Sequence, residues 1–351
     1  MTTCIQLQHI RLKNFRCHQD AQWSFSSGMN ILVGHNGSGK TSILEAAYVM
    51  AHGRSFRPCQ HQPWLRWGSE QCHIQGSWYR YGPMDLQVSG KKKLHMTLQG
   101  RPLSIKKELK AAFPVLISAP QGQRLLDGEH NERRKWLDQL VMQCEVQSRT
   151  HYQAYMRAWM QRSRTLRQQR SHEELEVWEQ QMVMHGRKVQ DYRHRICLAL
   201  NKRLKQHRDW TEQAVQCHIH SHIPKDDTLW LAALQKHREK DKKTGRCYYG
   251  AQTDRLQLNY GEQDVRLTGS RGQQKLSAAA LKLSESELRY TYHHLWPLLL
   301  LDDCFEALDK QRTQQLLQGL SRYQGQILMT SPHTVPMKKH DHIQVVSLGE
   351  C

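Results

Sequence analysis

The sequence predicts an α/β protein whose strand-and-helix core is split by a long helical insertion. Three observations point there. An apolar strand, MNILVG (29–34), runs straight into a Gly-rich turn and a helix. Residues 131–210 hold no proline and one glycine, and Leu, Gln, Arg, Glu and Met dominate, a helix-forming composition. After Gly245 short strands and helices return, among them the apolar run PLLLL (297–301).

Each element has its own signal. IQLQHIRL (5–12) alternates apolar and polar residues with one phase slip at His9, the pattern of a strand with a bulge. KTSILEAAYVMAH (40–52) predicts a helix with Ile43, Leu44, Ala47, Tyr48 and Ala51 on its apolar face. Residues 55–118 favour short strands and turns, and LQVSGKKKLHMTLQG predicts a hairpin with Lys91, Lys92 and Lys93 near its tip. The helical stretch loosens through IPKDDTLW and REKDKKTG. A helix over 273–290, a strand over 298–301, a helix over about 308–322 and the strand QILMTS follow. The expected division is a core in two parts, 1–130 and 246–351, around an inserted lobe, 131–245.

Composition narrows the partners. The 351 residues carry 51 Lys and Arg against 32 Asp and Glu, a net charge of +19. Such a balance attracts polyanions, nucleic acid first and anionic membrane second. No signal-peptide core opens the chain, and no run reaches the roughly 18 apolar residues that span a bilayer. The expectation is a cytoplasmic protein that is not held in a membrane. Ten cysteines contain no C-x-x-C pair, so zinc-ribbon and thioredoxin-like motifs are not indicated. The cluster CHIHSH (Cys217, His218, His220, His222) has residues that catch metals, but alternating His better fits the wet face of a strand.

Three stretches carry chemistry. GHNGSGKT (34–41) follows a strand, opens a helix and has the G-x-x-x-x-G-K-T spacing of a phosphate loop. Its binding set runs through Gly34, His35, Asn36, Gly37, Ser38, Gly39, Lys40, Thr41 and Ser42. The glycines let backbone N–H groups turn toward phosphate oxygens, and the helix N-terminus adds positive partial charge. Lys40 reaches the outer phosphates, and the Thr41 hydroxyl takes a place on Mg²⁺. In PLLLLDDCFEALD (297–309), four leucines make a buried strand ending in two carboxylates. Asp302 suits Mg²⁺, directly or through water, and Asp303 suits orienting or deprotonating an attacking water. GSRGQQK (269–275) opens a helix with hydroxyl, backbone N–H groups and helix dipole aligned, a second anion cradle. One chain has no evident need of two cradles. In a two-fold dimer, Ser270 and Gly272 of one copy would close the nucleotide on the other.

The ordered set resembles that of ABC-type ATPase heads, and more closely the RecF family of bacterial recombination-repair ATPases, relatives of SMC heads. LKNFR (12–16), GHNGSGKTSILEAAY, GRSFRP (53–58), ERRKWLD (132–138), GSRGQQKLSAAALKL (269–283) and LLLLDDCFEALD carry the resemblance, which spans nearly the whole chain. The looser EVWEQQMVMHG (176–186) fits the family's lobe. The resemblance implies an ABC-type P-loop NTPase head with an inserted helical lobe, using ATP and Mg²⁺. It implies that Lys40 and Thr41 hold phosphate and metal, that Asp302 holds the metal, and that Asp303 is the catalytic acid position. Asp309 would lie in a loop at the dimer seam, and His333, in SPH after the last strand of the set, would be a switch histidine. Gln121 and Gln123 are both candidates for a glutamine that senses Mg²⁺ and water.

The implied activity is weak, DNA-stimulated ATP hydrolysis coupled to dimerisation on single-stranded DNA or single-strand/double-strand junctions. RecR and RecO are the implied partners, in gap repair, replication and the SOS response. The chain departs from the family in three places. GAQTDR (250–255) stands where GPHRDD-like residues are usual, EALD replaces SELD, and SAPQGQRLLDGEHN lacks an acidic residue after Pro120.

The insertion is strongly basic. Arg157, Arg162, Arg164, Arg167 and Arg170 lie on one helical stretch, and Lys202, Arg203, Lys205 and Arg208 form a second cluster. With +19 overall, phosphate contacts are favoured over a merely solvated face. Tyr152, Tyr155 and Trp159 at helical spacing fit an apolar stripe better than a base-stacking platform. About 80 helical residues make a short lobe, not the long coiled coil of SMC proteins. Two rival readings remain at this level: the ATPase subunit of a membrane transporter, and a DNA clamp that uses ATP without turnover.

Overall fold

The computed structural model describes residues 3–57, 64–91, 94–103, 109, 112–119, 124–168, 171–211, 213, 215–245, 247–334 and 343–349. In chain order, β1 (Gln6–Phe15) and β2 (His18–Ser24) form a hairpin over the two-residue tip Arg16–Cys17. β3 (Met29–Val33) leads through the glycine loop into α1 (Lys40–His52). β4 (Cys72–Tyr79), β5 (Pro83–Gly90), β6 (Leu94–Leu98), β7 (Arg101–Pro102) and β8 (Val115–Ser118) follow. Next come α2 (His130–Cys144), α3 (Ser148–Arg167), α4 (His172–Gln206) and β9 (Val215–His220). Then α5 (Asp227–Lys236), α6 (Arg238–Thr244), β10 (Arg255–Tyr260) and β11 (Gln263–Asp264) complete the middle of the chain. Last are α7 (Arg271–His293), β12 (Leu298–Leu301), α8 (Lys310–Leu320), β13 (Ile327–Ser331) and β14 (Ile343–Ser347).

Two compact units result. One comprises residues 1–124, 209–212 and 270–351; the other comprises 125–208 and 213–269. Residues 246–269, assigned from the sequence to the core, fall in the second unit. The reason is a sheet: β10 pairs antiparallel with β9 and β11, so this segment belongs with the helices that sheet packs on.

In the first unit, a five-stranded parallel sheet has the order β14-β3-β13-β12-β8, and an antiparallel sheet has the order β2-β1-β4-β5-β6-β7. The β1 bulge lies between Leu7 and His9, where the register against β4 shifts. α1 packs against strands of both sheets. The expected one-faced helix is therefore corrected: Glu45, Ala46, Val49 and Met50 are buried as well as Ile43, Leu44, Ala47 and Ala51. A helix covered on two sides needs small and apolar residues nearly all round. All five parallel strands point the same way, so their C-terminal ends line one edge, where ligands of open α/β sheets bind.

The second unit is helical with a three-stranded sheet. α3 and α4 pack along one another, and α4 also covers β9. Tyr152 and Tyr155 are buried, as an apolar stripe requires. His218 and His220 lie on the exposed face of β9 while Cys217 is buried. Arg162 corrects its expected phosphate role: it is fully buried, 3.0 Å from Glu179 and 2.7 Å from Asp241, and donates to the Leu234 carbonyl. Arg157, Arg164 and Arg167 are exposed, and Arg170 lies outside the described residues. ERRKWLD is also partly architectural. Arg133 is fully buried, donates to two α2-flanking carbonyls at Leu125 and Leu126, and pairs with Asp264.

Candidate nucleotide site

The loop after β3 turns on glycine. Gly39 has φ of 85° and Gly37 91°, both left-handed. At Gly39 a Cβ would lie 2.4 Å from the His18 ring, so no larger residue fits without displacing it. His18 sits at the tip of the β1–β2 hairpin, and its Nε2 is 3.2 Å from the Gly39 carbonyl. Burial holds its pKa below the usual imidazole value. The same hairpin tip carries Arg16, whose guanidinium forks onto the buried Glu45 of α1 at 2.8 and 2.5 Å. Ser55 and Arg57, from GRSFRP, also reach Glu45, at 2.6 and 3.7 Å. LKNFR and GRSFRP thus brace the start of α1.

Lys40 is buried, and its ammonium donates to the Gly34 and His35 carbonyls at 2.6 and 2.8 Å. Among the described residues it meets no carboxylate. His35, Asn36 and Gly37 are exposed, whereas Ser38 and Ser42 are buried. Thr41 donates to Asp302 at 2.9 Å, joining the loop to the end of β12. Thr330 of β13 donates to the same oxygen at 2.9 Å and accepts from the Asp303 N–H at 2.7 Å. Burial, and then the neighbouring Asp303, push Asp302 up to about 6 against the opposing hydroxyl donors. Asp303 itself has φ of 48°, a strained value for a residue with a side chain. The Thr330 bond and Lys275, which donates to the Asp303 carbonyl at 2.9 Å, hold it there. His333 is exposed just past β13, and its carbonyl accepts from Ser331 at 2.6 Å. Gln121 and Gln123 lie outside the described residues.

The serine loop is a separate cluster. Ser270 caps α7 in a reciprocal box with Gln273, with bonds of 3.3 and 3.0 Å, and is exposed. Asp309 caps α8 by accepting from the Arg312 N–H at 2.7 Å. The Arg312 side chain pairs with Asp309 at 3.2 Å and lies against Gly272, where a Cβ would meet its Cδ at 2.9 Å. Sequence reasoning singled out neither Thr330, Lys275, His18 nor Arg312. LKNFRCH held the signal for His18, since a hairpin tip beside a phosphate loop has a short reach. The other three are defined only by contacts far apart in the chain.

A buried lysine with no carboxylate partner among the described residues and the buried Asp302 beside the half-buried Asp303, linked through a threonine hydroxyl, lie at the C-terminal edge of a parallel sheet. With a serine-capped helix beyond, this defines a P-loop ATPase head of the ABC and SMC type. The AAA ATPase domain family matches residues 6–213. Solved structures with the same fold include the recombination mediator protein RecF-ATPrS in the RecFOR pathway. Its TM-score is 0.76 at 21% identity, over 97% of this chain and 98% of that one. The Smc head domain with an extended coiled coil from Pyrococcus furiosus scores 0.64 at 14% identity, over 99% and 94%.

Among curated sequences, the DNA replication and repair protein RecF of Clostridioides difficile (strain 630) is 30% identical over 334 residues, 91% of this chain and 90% of its own. That of Chlamydia abortus is 30% identical over 343 residues, 92% of each. The chain belongs to the RecF family of DNA replication and repair proteins.

Proposed function

We propose that the protein is an ATP-dependent DNA-binding clamp of recombinational gap repair and replication, in which two copies close on two ATP molecules and slow hydrolysis reopens them. The carrying observation is the charge state of the site. Among the described residues Lys40 is a buried cation held by carbonyls alone, and Asp302 is a carboxylate raised by burial and then by Asp303. Each is stabilised when a counter-charge arrives, a phosphate chain for one and a divalent cation for the other. The residues fit ATP with Mg²⁺: Lys40 and the loop N–H groups for phosphates, Thr41 and Asp302 for the metal. Bound there, the metal neutralises charge on the phosphate oxygens.

Asp303 then orients or deprotonates the attacking water, with Thr330 and Lys275 fixing its backbone. His333 and Gln121 or Gln123 are proposed to face the terminal phosphate. Ser270, Gly272 and Asp309 act on the partner copy's nucleotide, since the Ser270 cap is solvent-exposed and free to meet a second molecule's anion. Binding energy that exists only in the closed dimer drives closure. By family resemblance, RecR and RecO are the protein partners, with recombinase loading and SOS induction downstream. Family membership leaves the transporter reading without support. A clamp without turnover remains a second reading, favoured by Asp303 standing where the longer glutamate is commoner, and a turnover assay with and without DNA separates the two.

The test mixes two inactive variants. Lys40→Ala is expected to abolish ATP-driven dimerisation in light scattering, and Ser270→Arg to keep ATP binding but block closure. In an equimolar mixture half the dimers are mixed and each holds one intact composite site, so about a quarter of wild-type turnover returns. Zero turnover in the mixture, with both variants folded, sinks the arrangement in trans.

A further inference from the structure

The two family stretches that the nucleotide site does not use, ERRKWLD and GAQTDR, come together in the second unit. Around them lies a cleft of about 430 Å³ lined by polar and charged residues alone. Arg134, Arg255 and Arg266 line it from three separate elements, with His130, Asn131 and Thr253 between them. The arginines differ in how they are matched. Arg133, beside the cleft, is consumed by Asp264 and two carbonyls. Arg266 shares Asp264 at 3.0 Å. Arg134 is half-buried and donates only to the Gln252 and Asp254 carbonyls, so among the described residues it has no carboxylate partner. Arg255 is exposed and has none either among the described residues.

Two carboxylates also face the cleft. Asp254 pairs through Oδ2 with Arg193 at 2.8 Å while its Oδ1 is buried without a hydrogen bond among the described residues, and Glu129 is solvent-exposed. His130 adds an independent mark: its Nδ1 is buried without a hydrogen-bond partner among the described residues. A buried polar atom and two unmatched guanidinium groups in one cleft are an incomplete hydrogen-bond set.

We propose that this cleft seats a phosphodiester of the DNA backbone, with Arg134 and Arg255 as its charged donors and Asn131 and Thr253 as neutral ones. The proposal rests on the DNA-binding reading above and assigns it a place. Phosphate oxygens accept from planar guanidinium forks and small polar side chains, whatever the base sequence. An acidic peptide is the poorer occupant, because stable peptide contacts need a desolvated apolar anchor and no apolar side chain lines the cleft. The second unit has another cleft, of about 630 Å³, where Arg164 and Arg167 stand beside Trp159, Met160 and Tyr248, a mixed lining that suits an apolar anchor better than a phosphodiester.

The experiment is fluorescence anisotropy of the full chain, with ATP and Mg²⁺ present, on a labelled duplex with a single-stranded end over a salt series, and in parallel on a labelled oligoglutamate peptide. Arg255→Gln tests an exposed donor, and Lys188→Gln, an exposed cation on α4 outside both basic clusters, is the control. Asn131→Asp is the second variant. It puts negative charge on the cleft while suiting the first turn of α2, so folding is unharmed as phosphate binding weakens.

For Arg255→Gln the expected result is about fivefold weaker duplex binding at ~0.1 M salt, independent of sequence, with the log–log salt slope smaller by about one. Asn131→Asp should weaken binding similarly without lowering Tm, and Lys188→Gln should do less. Duplex binding that Arg255→Gln and Asn131→Asp leave at wild-type affinity and slope overturns the cleft but not the clamp. Arg255-dependent capture of the peptide without capture of duplex overturns the phosphodiester assignment. A wild-type chain that binds neither probe overturns both readings together.

Discussion

The nucleotide site and the helical core of the second unit bury charge in opposite ways. In the second unit, Arg162 lies between Glu179 and Asp241, with Arg238 closing on Glu179 at 2.5 Å. Arg193 likewise bridges Asp138 and Asp254, at 2.7 and 2.8 Å. Every one of these charges has its opposite in the same chain. In the first unit, Lys40 leans on carbonyls and Asp302 sits beside a like charge. Burial costs the same in both places; what differs is who supplies the partner. Matched buried charge is architecture, and unmatched buried charge marks a place for a ligand.

The largest effect that tests this contrast is Arg162→Met. It strips the shared cation from two buried carboxylates, and urea unfolding should show a loss of about 3–5 kcal/mol. A loss below about 1 kcal/mol would mean that the network is not the strut described. The first unit should respond with the opposite sign. Asp302→Asn keeps an acceptor for Thr41 and Thr330 but removes the strained charge, so the nucleotide-free protein should gain on the order of 2 kcal/mol and melt a few degrees higher. ATP-dependent assembly should fall away in the same variant; a melting point unchanged or lower would contradict the reading of Asp302.

The smallest effect concerns Asp264. Burial alone raises this carboxyl, but Arg266 and Arg133 outweigh burial and bring it to about 2. A depressed acid stabilises the fold above its unfolded value near 4, and that contribution disappears as pH falls from about 4 through 2. Asp264→Asn should therefore cost about 1 kcal/mol at neutral pH, less as pH falls from about 4, and nothing well below the folded pKa, read from paired thermal melts.

Local pattern carried the strands, helices and phosphate loop. Positions 29–52 are legible because glycine, lysine and threonine act at fixed spacing, and 298–301 because four leucines in a row leave little choice. Pattern failed where a neighbour distant in sequence decides. Arg162 and Arg164 look alike on paper, yet one is sealed between Glu179 and Asp241 and the other is exposed. Ala46 and Val49 lie off the expected apolar face, and only a second sheet explains their burial. Residues 255–264 read as core strands until β9 is known to pair with them. Thr330, at the centre of the carboxylate pair, is one hydroxyl in an ordinary strand.

Arg312 ties two protruding loops into one rigid piece, its shaft flat on Gly272 and its head on Asp309. Neither loop can be pulled without dragging the other. Whatever molecule docks on one of them therefore meets the other already in place beside it.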